Sequence, residues 1–428
     1  MNSMQIISVV VFLVVMIALV TEKVHRTAAA VSGAVLLLCL RILSVDEAVS
    51  YIDFGTIGVL IGMMLFVAVV RNSGLFEYMA IKSAKIAKGS PWKIMLLFMI
   101  LTAVLSAFLD NVTTVLLVGP MAISIAGILG IDPVPFLLTQ ILASNVGGTA
   151  TLIGDPPNIM IGSAVKELTF VAFIENLTPV VILCMAAVLF VMDVLYRKQM
   201  VTKPELQAEI MQMDEKKSLK DRKLLARSLF VLGLTILGFF THSFTHIESS
   251  VVALFGAFLL LLLAGGSQHD VDFSMRKVEW ATIFFFIGLF VAVGGLSETG
   301  VIRDLATGAV ALTEGDVTKT SLLVLWLSAL VSSVLDNIPF VATMIPLIQN
   351  MGAMGVDNLE PVWWSLSLGA CLGGNGTLVG ASANLIVAGM AADRGVKISF
   401  MNYFKISFPI MIMTIAISTV YVYLRYLL

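Results

Sequence analysis

Two aspartate-asparagine pairs interrupt otherwise apolar stretches of this chain, as Asp110-Asn111-Val112-Thr113-Thr114 and Asp336-Asn337-Ile338-Pro339-Phe340. Two further polar breaks follow them. Ser144 to Asn158 carries Ser144, Asn145, Gly148, Thr149, Thr151, Asp155 and Asn158, and Gly373 to Asn384 carries Gly374, Asn375, Thr377, Ser382 and Asn384. Carboxylate, amide and hydroxyl oxygens are hard ligands, so these residue types suit sodium or a proton, with sodium expected at Asp110/Asn111 and Asp336/Asn337. An ionisable group within an apolar span is a functional-site hypothesis by default. Asp110 and Asp336 also suit a structural role as caps of helix starts, where a carboxylate accepts backbone N–H bonds, and the two roles coexist. Glycine lets the backbone leave helical geometry, and Pro156 and Pro157 supply no N–H. Each long break therefore reads as an unwound stretch between half-helices, whose C-terminal carbonyls suit a cation and whose N-termini suit an anion.

The elements that must position these residues are membrane helices. The chain is 59% hydrophobic and 13% charged over 428 residues, with a mean hydropathy of +1.00, against about 25% charged residues in soluble domains. Spans of about 20 apolar residues give ten crossings, one of them Thr27 to Leu43. Two more apolar regions are each broken halfway by an Asp-Asn pair. A straight span there would leave polar groups in hydrocarbon at several kcal/mol each, so both read as re-entrant helical hairpins with tips inside the protein.

The two Asp-Asn pairs stand 336 − 110 = 226 residues apart, and the same offset aligns Thr56 with Thr282, Gly74 with Gly300, Ser106 with Ser332, Gly147 with Gly373, Thr151 with Thr377 and Asn158 with Asn384. The expected fold is thus all-α and polytopic, with two repeats of five transmembrane helices and one hairpin each. Residues 1–196 form the first (hairpin 92–130, broken helix 135–164), 197–227 a linker, and 228–428 the second (hairpin 320–351, broken helix 362–390). Five is odd, so the second repeat enters the membrane inverted. Inverted repeats with interrupted helices at the midplane point to a secondary transporter with its site between the repeats. Asp155 aligns with Ala381, so the two half-sites are chemically unequal and one can bind a cation or proton that the other does not.

With both termini outside, 21 of the 26 lysines and arginines fall in inner loops, Arg26 among them, which orients the chain with linker 197–227 in the cytoplasm. No cleavable signal is expected, since the first apolar run lacks a basic flank and a small-residue cleavage site. The linker reads as a partly helical, solvated connector. Trp280, Trp363 and Trp364 fit an interfacial aromatic belt, and Cys39, Cys184 and Cys371 read as packed thiols. A net charge of −2 with no basic block outside the linker gives no sign of a nucleic-acid partner, and none is expected. No enzyme is expected, because no Ser-His-Asp set, His cluster or phosphate loop is present.

The two Asp-Asn tips, the Ser144 to Asn158 segment with its Gly-Asp-Pro-Pro-Asn end, and the Gly373 to Asn384 stretch resemble the ion transporter superfamily, which includes citrate transporter-like permeases. The closest likeness is to the branch of the melanosomal P protein, NhaD-type sodium/proton antiporters and ArsB arsenite permeases. The resemblance covers nearly the whole chain. It implies the inverted-repeat fold, an elevator-like alternating-access cycle, a place in the cell membrane and assembly as a homodimer. Related dicarboxylate symporters carry Ser-Asn-Thr at their tips, where Asp110 and Asp336 stand here, and the added charge disfavours a di- or tricarboxylate substrate. The expected function is transport of a small ion, such as an inorganic oxyanion like arsenite or another small anion, coupled to Na+ or H+ with no other cofactor. The alternatives are a sodium/proton antiporter and an anion channel.

Overall fold

A computed structural model describes residues 2–21, 23–265 and 267–428, and among these every regular element is helical. Eight helices are long and apolar enough to cross a membrane: Ser3–Thr21, Phe54–Arg71, Pro91–Phe108, Asn111–Ile128, Phe170–Tyr196, Arg222–Thr245, Trp280–Glu298 and Phe400–Leu427. Arg26–Cys39, Val134–Gly148, Ser249–Ala264, Val317–Ser332 and Ser382–Ala392 are shorter apolar helices. Large apolar side chains remain exposed on the outer helices, among them Ile6, Leu13 and Ile17, Phe230 and Leu237, and Phe190 and Val194. Such faces are expected where lipid rather than water is the neighbour.

The chain leaves helical geometry at the polar breaks. Helix Pro91–Phe108 stops at Leu109, and Asp110 caps helix Asn111–Ile128; helix Val317–Ser332 and helix Asn337–Ala353 are separated in the same way, with Asp336 as cap. Between Val134–Gly148 and Pro156–Ala164, and again between Glu360–Gly373 and Ser382–Ala392, the backbone is unwound.

Contacts repeat at the 226-residue offset. Ser106 Oγ donates to the Ser144 carbonyl at 2.6 Å and Ser332 Oγ to that of Ala370 at 2.7 Å. The Thr151 hydroxyl donates to the Ala107 carbonyl and that of Thr377 to Ser333. Helix Ser249–Ala264 packs on Phe54–Arg71, while Arg26–Cys39 packs on Trp280–Glu298. Each half thus lays one helix across the other half, so the core is shared between them.

Four expectations need correction. The second span ends at Cys39 rather than Leu43, because Arg41 adopts a positive φ of 57° and a Ser44–Glu47 capping box starts a new helix, Val45–Ser50. Cys39 is exposed, not packed. Trp363 and Trp364 lie in the core rather than at an interface; Trp364 meets Phe173 edge-on at 5.1 Å and donates to Glu360. The linker is docked rather than merely solvated. Its helix, Pro204–Gln212, buries Ile210, Thr202 Oγ1 donates to the Leu129 carbonyl, the Lys220 amide donates to that of Ser73 at 3.0 Å, and Lys85 pairs with Glu215 at 2.6 Å.

The hydrogen bond from Lys85 holds the Glu215 carboxyl below its ordinary range. A lowered folded value means that this contribution is present above the unfolded carboxylate range and is lost as pH falls through the folded one. Glu215→Gln is therefore expected to raise amide hydrogen exchange across residues 213–220 at neutral pH, and acidification to do the same in the wild type after correction for intrinsic rate. Unchanged protection in both would show that the pair does not hold the linker.

Candidate functional site

The two unwound stretches face each other, and asparagine amides join them. Asn145 Nδ2 donates to Asn375 Oδ1 and to Asn384 Oδ1, both at 3.0 Å, while Asn145 Oδ1 accepts from Asn111 Nδ2 at 3.1 Å. Asn158 Nδ2 donates to the Thr149 and Thr151 carbonyls at 3.1 and 2.9 Å, and its Oδ1 accepts from Ser367 Oγ at 2.6 Å. Asn384 Nδ2 donates to the Gly374 and Thr377 carbonyls at 2.8 and 2.9 Å. All four of Asn145, Asn158, Asn375 and Asn384 are fully buried. The network matches carbonyls freed by unwinding with the amides of Asn158 and Asn384, which satisfies polar groups the break creates, while Asn375 Nδ2 is buried without a partner.

Asn145→Ala is expected to leave the side-chain amides of Asn111, Asn375 and Asn384 each one partner short, at a cost of about 2–3 kcal/mol. Asn350, whose Nδ2 reaches only the Pro346 carbonyl of its own helix, serves as control; thermal unfolding in detergent should separate N145A from N350A by several degrees. Equal midpoints would show that the network carries no stability.

A small chamber of about 20 Å³ lies beside this network, lined by Asp110, Asn111, Asp155, Asn337 and Ser382 together with Arg26, Glu279 and Thr282. That volume corresponds to about one water-sized occupant. Asp155 Oδ1 accepts from Asn111 Nδ2 at 3.2 Å, whereas Asp155 Oδ2 and Asn337 Nδ2 are buried without a partner. Asp110 receives the Thr113 amide at 2.8 Å and the Thr113 hydroxyl at 2.5 Å, the geometry of a helix cap. Asp336 receives the Ile338 amide at 3.1 Å and the Ser382 hydroxyl at 2.7 Å and faces an adjoining cavity of about 280 Å³.

Five of the residues singled out by sequence thus line the chamber. The others surround it. Thr113 caps with Asp110, and Ser144, Thr149, Thr151 and Thr377 donate their hydroxyls to backbone carbonyls. Gly148 and Gly374 lie where the unwound backbone passes closely against Gly154 and Gly380. Thr114 is buried with an unpartnered hydroxyl.

Three lining residues escaped the sequence reading. Glu279 and Thr282 stand 226 residues after Asp53 and Thr56, and both pairs bond alike: Thr56 Oγ1 donates to Asp53 at 2.5 Å and Thr282 Oγ1 to Glu279 at 3.1 Å. The offset could have found them. Asp53 itself lines a separate cavity of about 600 Å³ with Ser163, Lys166 and His242. Arg26 counted only as an inner-loop charge, but it lines the chamber and stacks over Phe285 at 5.5 Å. Cys371 is no mere packing thiol either, since its Sγ donates to Asn158 at 3.5 Å. Among the described residues no cluster of His, Cys, Asp and Glu could hold a metal ion by itself.

An all-helical, polytopic chain with broken helices meeting at a buried polar network has the form of a membrane transporter, and comparison with known proteins agrees. Residues 16–369 match the CitMHS family, described as citrate transporter, and the chain belongs to that family. It is 40% identical over 429 residues to an uncharacterized transporter of Mycobacterium bovis, covering 99% of each chain. It is 33% identical over 485 residues to the P protein of Homo sapiens, covering 94% of this chain and 58% of that one. Its fold is similar to that of the YdaH transporter of Alcanivorax borkumensis, with a TM-score of 0.61, 16% identity and 99% of each chain covered. The chain is a multi-pass membrane transporter of the family that includes the P protein.

Proposed function

We propose that this transporter is a secondary active one that binds a single monovalent cation, Na+ or H+, at Asp110, Asn111 and Asp155 and uses it to drive a small ion across the cell membrane. The observation that carries this reading is the chamber of about 20 Å³ lined by three carboxylates and one arginine, with the acceptor Asp155 Oδ2 left without a hydrogen bond in it. A buried carboxylate without a partner is costly, and a cation or a proton on it removes that cost. The CitMHS family's description names citrate, but the acids around this chamber disfavour a di- or tricarboxylate by repulsion. A small anion of lower charge, such as an inorganic oxyanion, is repelled less.

The cycle proposed is alternating access by two inverted repeats, 1–196 and 228–428, with hairpins ending at Asp110 and Asp336 and an elevator-like movement, in a homodimer. Its support is the recurrence of the same bonds at the 226-residue offset, together with equivalent acids, Asp53 and Glu279, lining separate cavities.

A second reading, sodium/proton antiport, draws support from the chamber's room for only one small ion. Proteoliposomes separate the two: dissipation of a pH gradient by sodium with no added anion supports antiport, and a gradient that persists until an anion is supplied excludes it.

A further inference from the structure

Arg26 begins the helix Arg26–Cys39, which the first half lays against Trp280–Glu298 of the second. Its Nη1 donates to Ser382 Oγ at 2.5 Å and its Nη2 to Thr282 Oγ1 at 2.9 Å. Ser382 in turn donates its hydroxyl to Asp336 Oδ2 at 2.7 Å. The guanidinium is thus wired through one hydroxyl to the carboxylate of the second tip, and through Thr282, which donates to Glu279 at 3.1 Å, to a second carboxylate, so the Asp336→Asn partner variant decides which of the two it covers. Arg26 also lines the chamber of the first tip, but among the described residues no hydroxyl relays a guanidinium to Asp110. The residue 226 positions after Arg26 is Val252, the one 226 before Ser382 is Pro156, and the Asp110 carboxylate is bonded by Thr113 of its own cap.

We infer that Arg26 is a tethered counter-cation for the second half-site, standing where a free cation would otherwise sit at Asp336 and so limiting the transporter to one coupling ion. The inference rests on the proposed cation site at Asp110, Asn111 and Asp155. Its physical basis is that a carboxylate among membrane helices needs a positive partner. At the first tip a dissolved cation fills that need, and at the second the protein supplies its own charge. An arginine suits the task because it stays charged at any working pH and forks to two hydroxyls at once. The tether also joins the N-terminal end of Ser382–Ala392 to helices from both halves, so its two hydroxyl partners fix the charge to this position.

The test is equilibrium binding of sodium-22 to the purified full chain in nanodiscs, above the carboxylate titration range, for wild type, Arg26→Gln, Arg26→Lys and the double variant Arg26→Gln/Asp336→Asn. The expected result is one sodium per wild-type chain, about a twofold rise in maximal binding for R26Q as the uncovered carboxylate takes up a cation, no rise for R26K, and a return to one for the double variant. A purely structural arginine would lower thermal stability without raising the ion count. Wild type binding one sodium, with R26Q also at one, overturns the role of Arg26 and leaves the first site standing. No sodium bound by the wild type, with none gained by R26Q, overturns the inference and leaves H+ as the only coupling ion open to the first site. If R26Q does not fold, Ser382→Ala cuts the same wire at its middle and should raise the count in the same way; an unchanged count in a folded S382A overturns the inference.

Discussion

Asp155→Asn is expected to lower cation affinity roughly hundredfold, about 2.8 kcal/mol, and to abolish coupled flux while leaving the fold intact. Asp155 is fully buried in the unwound stretch, one oxygen held by Asn111 and the other unpartnered at the chamber. An asparagine of the same shape would keep its carbonyl on the Asn111 amide, because only that orientation preserves the bond. The NH2 would then replace Oδ2 at the chamber and meet the ion with hydrogens instead of a lone pair. Removing a buried charge costs no packing, so the thermal midpoint should hold or rise. Asp110→Ala differs in a measurable way: both Asp110 oxygens serve the Thr113 cap, so that variant should also lose about 1 kcal/mol of stability. Cation titration by calorimetry alongside thermal unfolding reads both quantities. Unaltered affinity in D155N would remove Asp155 from the site.

Gly147→Ala and Gly373→Ala are expected to destabilise the protein by about 3 kcal/mol each. Both glycines lie where the half-helix crosses its neighbour. A Cβ on Gly147 would come within 2.3 Å of the Ala103 carbonyl oxygen and 2.4 Å of its Cα, and one on Gly373 within 2.6 and 2.7 Å of the same atoms of Ala329. The obstructing atoms are backbone, so the helices themselves must separate, and the bonds from Ser106 to Ser144 and from Ser332 to Ala370 would stretch with them. At Gly127 and Gly308 no neighbouring atom lies within 4 Å of the place an added methyl would take, and their alanine variants should change stability by less than about 1 kcal/mol. Thermal unfolding in detergent compares the four. Equal midpoints would mean that the crossings relax freely.

The polar breaks were legible because charge and amide are conspicuous in an apolar run. Asp110, Asp336 and the Gly-Asp-Pro-Pro-Asn segment stand out for that reason, and the fixed 226-residue offset tied them together. The capping role of both aspartates was legible too, since it depends only on neighbouring amides. Arg26 was not, because what distinguishes it from any inner-loop arginine is the helix that crosses beside it, a contact with residues some 256 positions away. Trp363 and Trp364 misled for the same reason: their type suits an interface, while helix packing buries both and sets Trp364 against Phe173 on another helix. The docked linker depends on Leu129, Ser73 and Lys85, none of which its own charged sequence announces. Glu279 lay within reach, since it occupies the position equivalent to Asp53 and differs only in acid type.

The central claim is that movement of one ion is driven by the gradient of a cation bound at Asp155. The most direct measurement is a flux screen of the purified chain in proteoliposomes, with sodium and proton gradients imposed separately and arsenite, carboxylates and simple anions offered in turn, for wild type and D155N. The expected result is concentrative movement of one small ion that requires a sodium or proton gradient and disappears in D155N. Flux that only runs down its own gradient, with single-channel conductance steps and no dependence on Asp155, would contradict it.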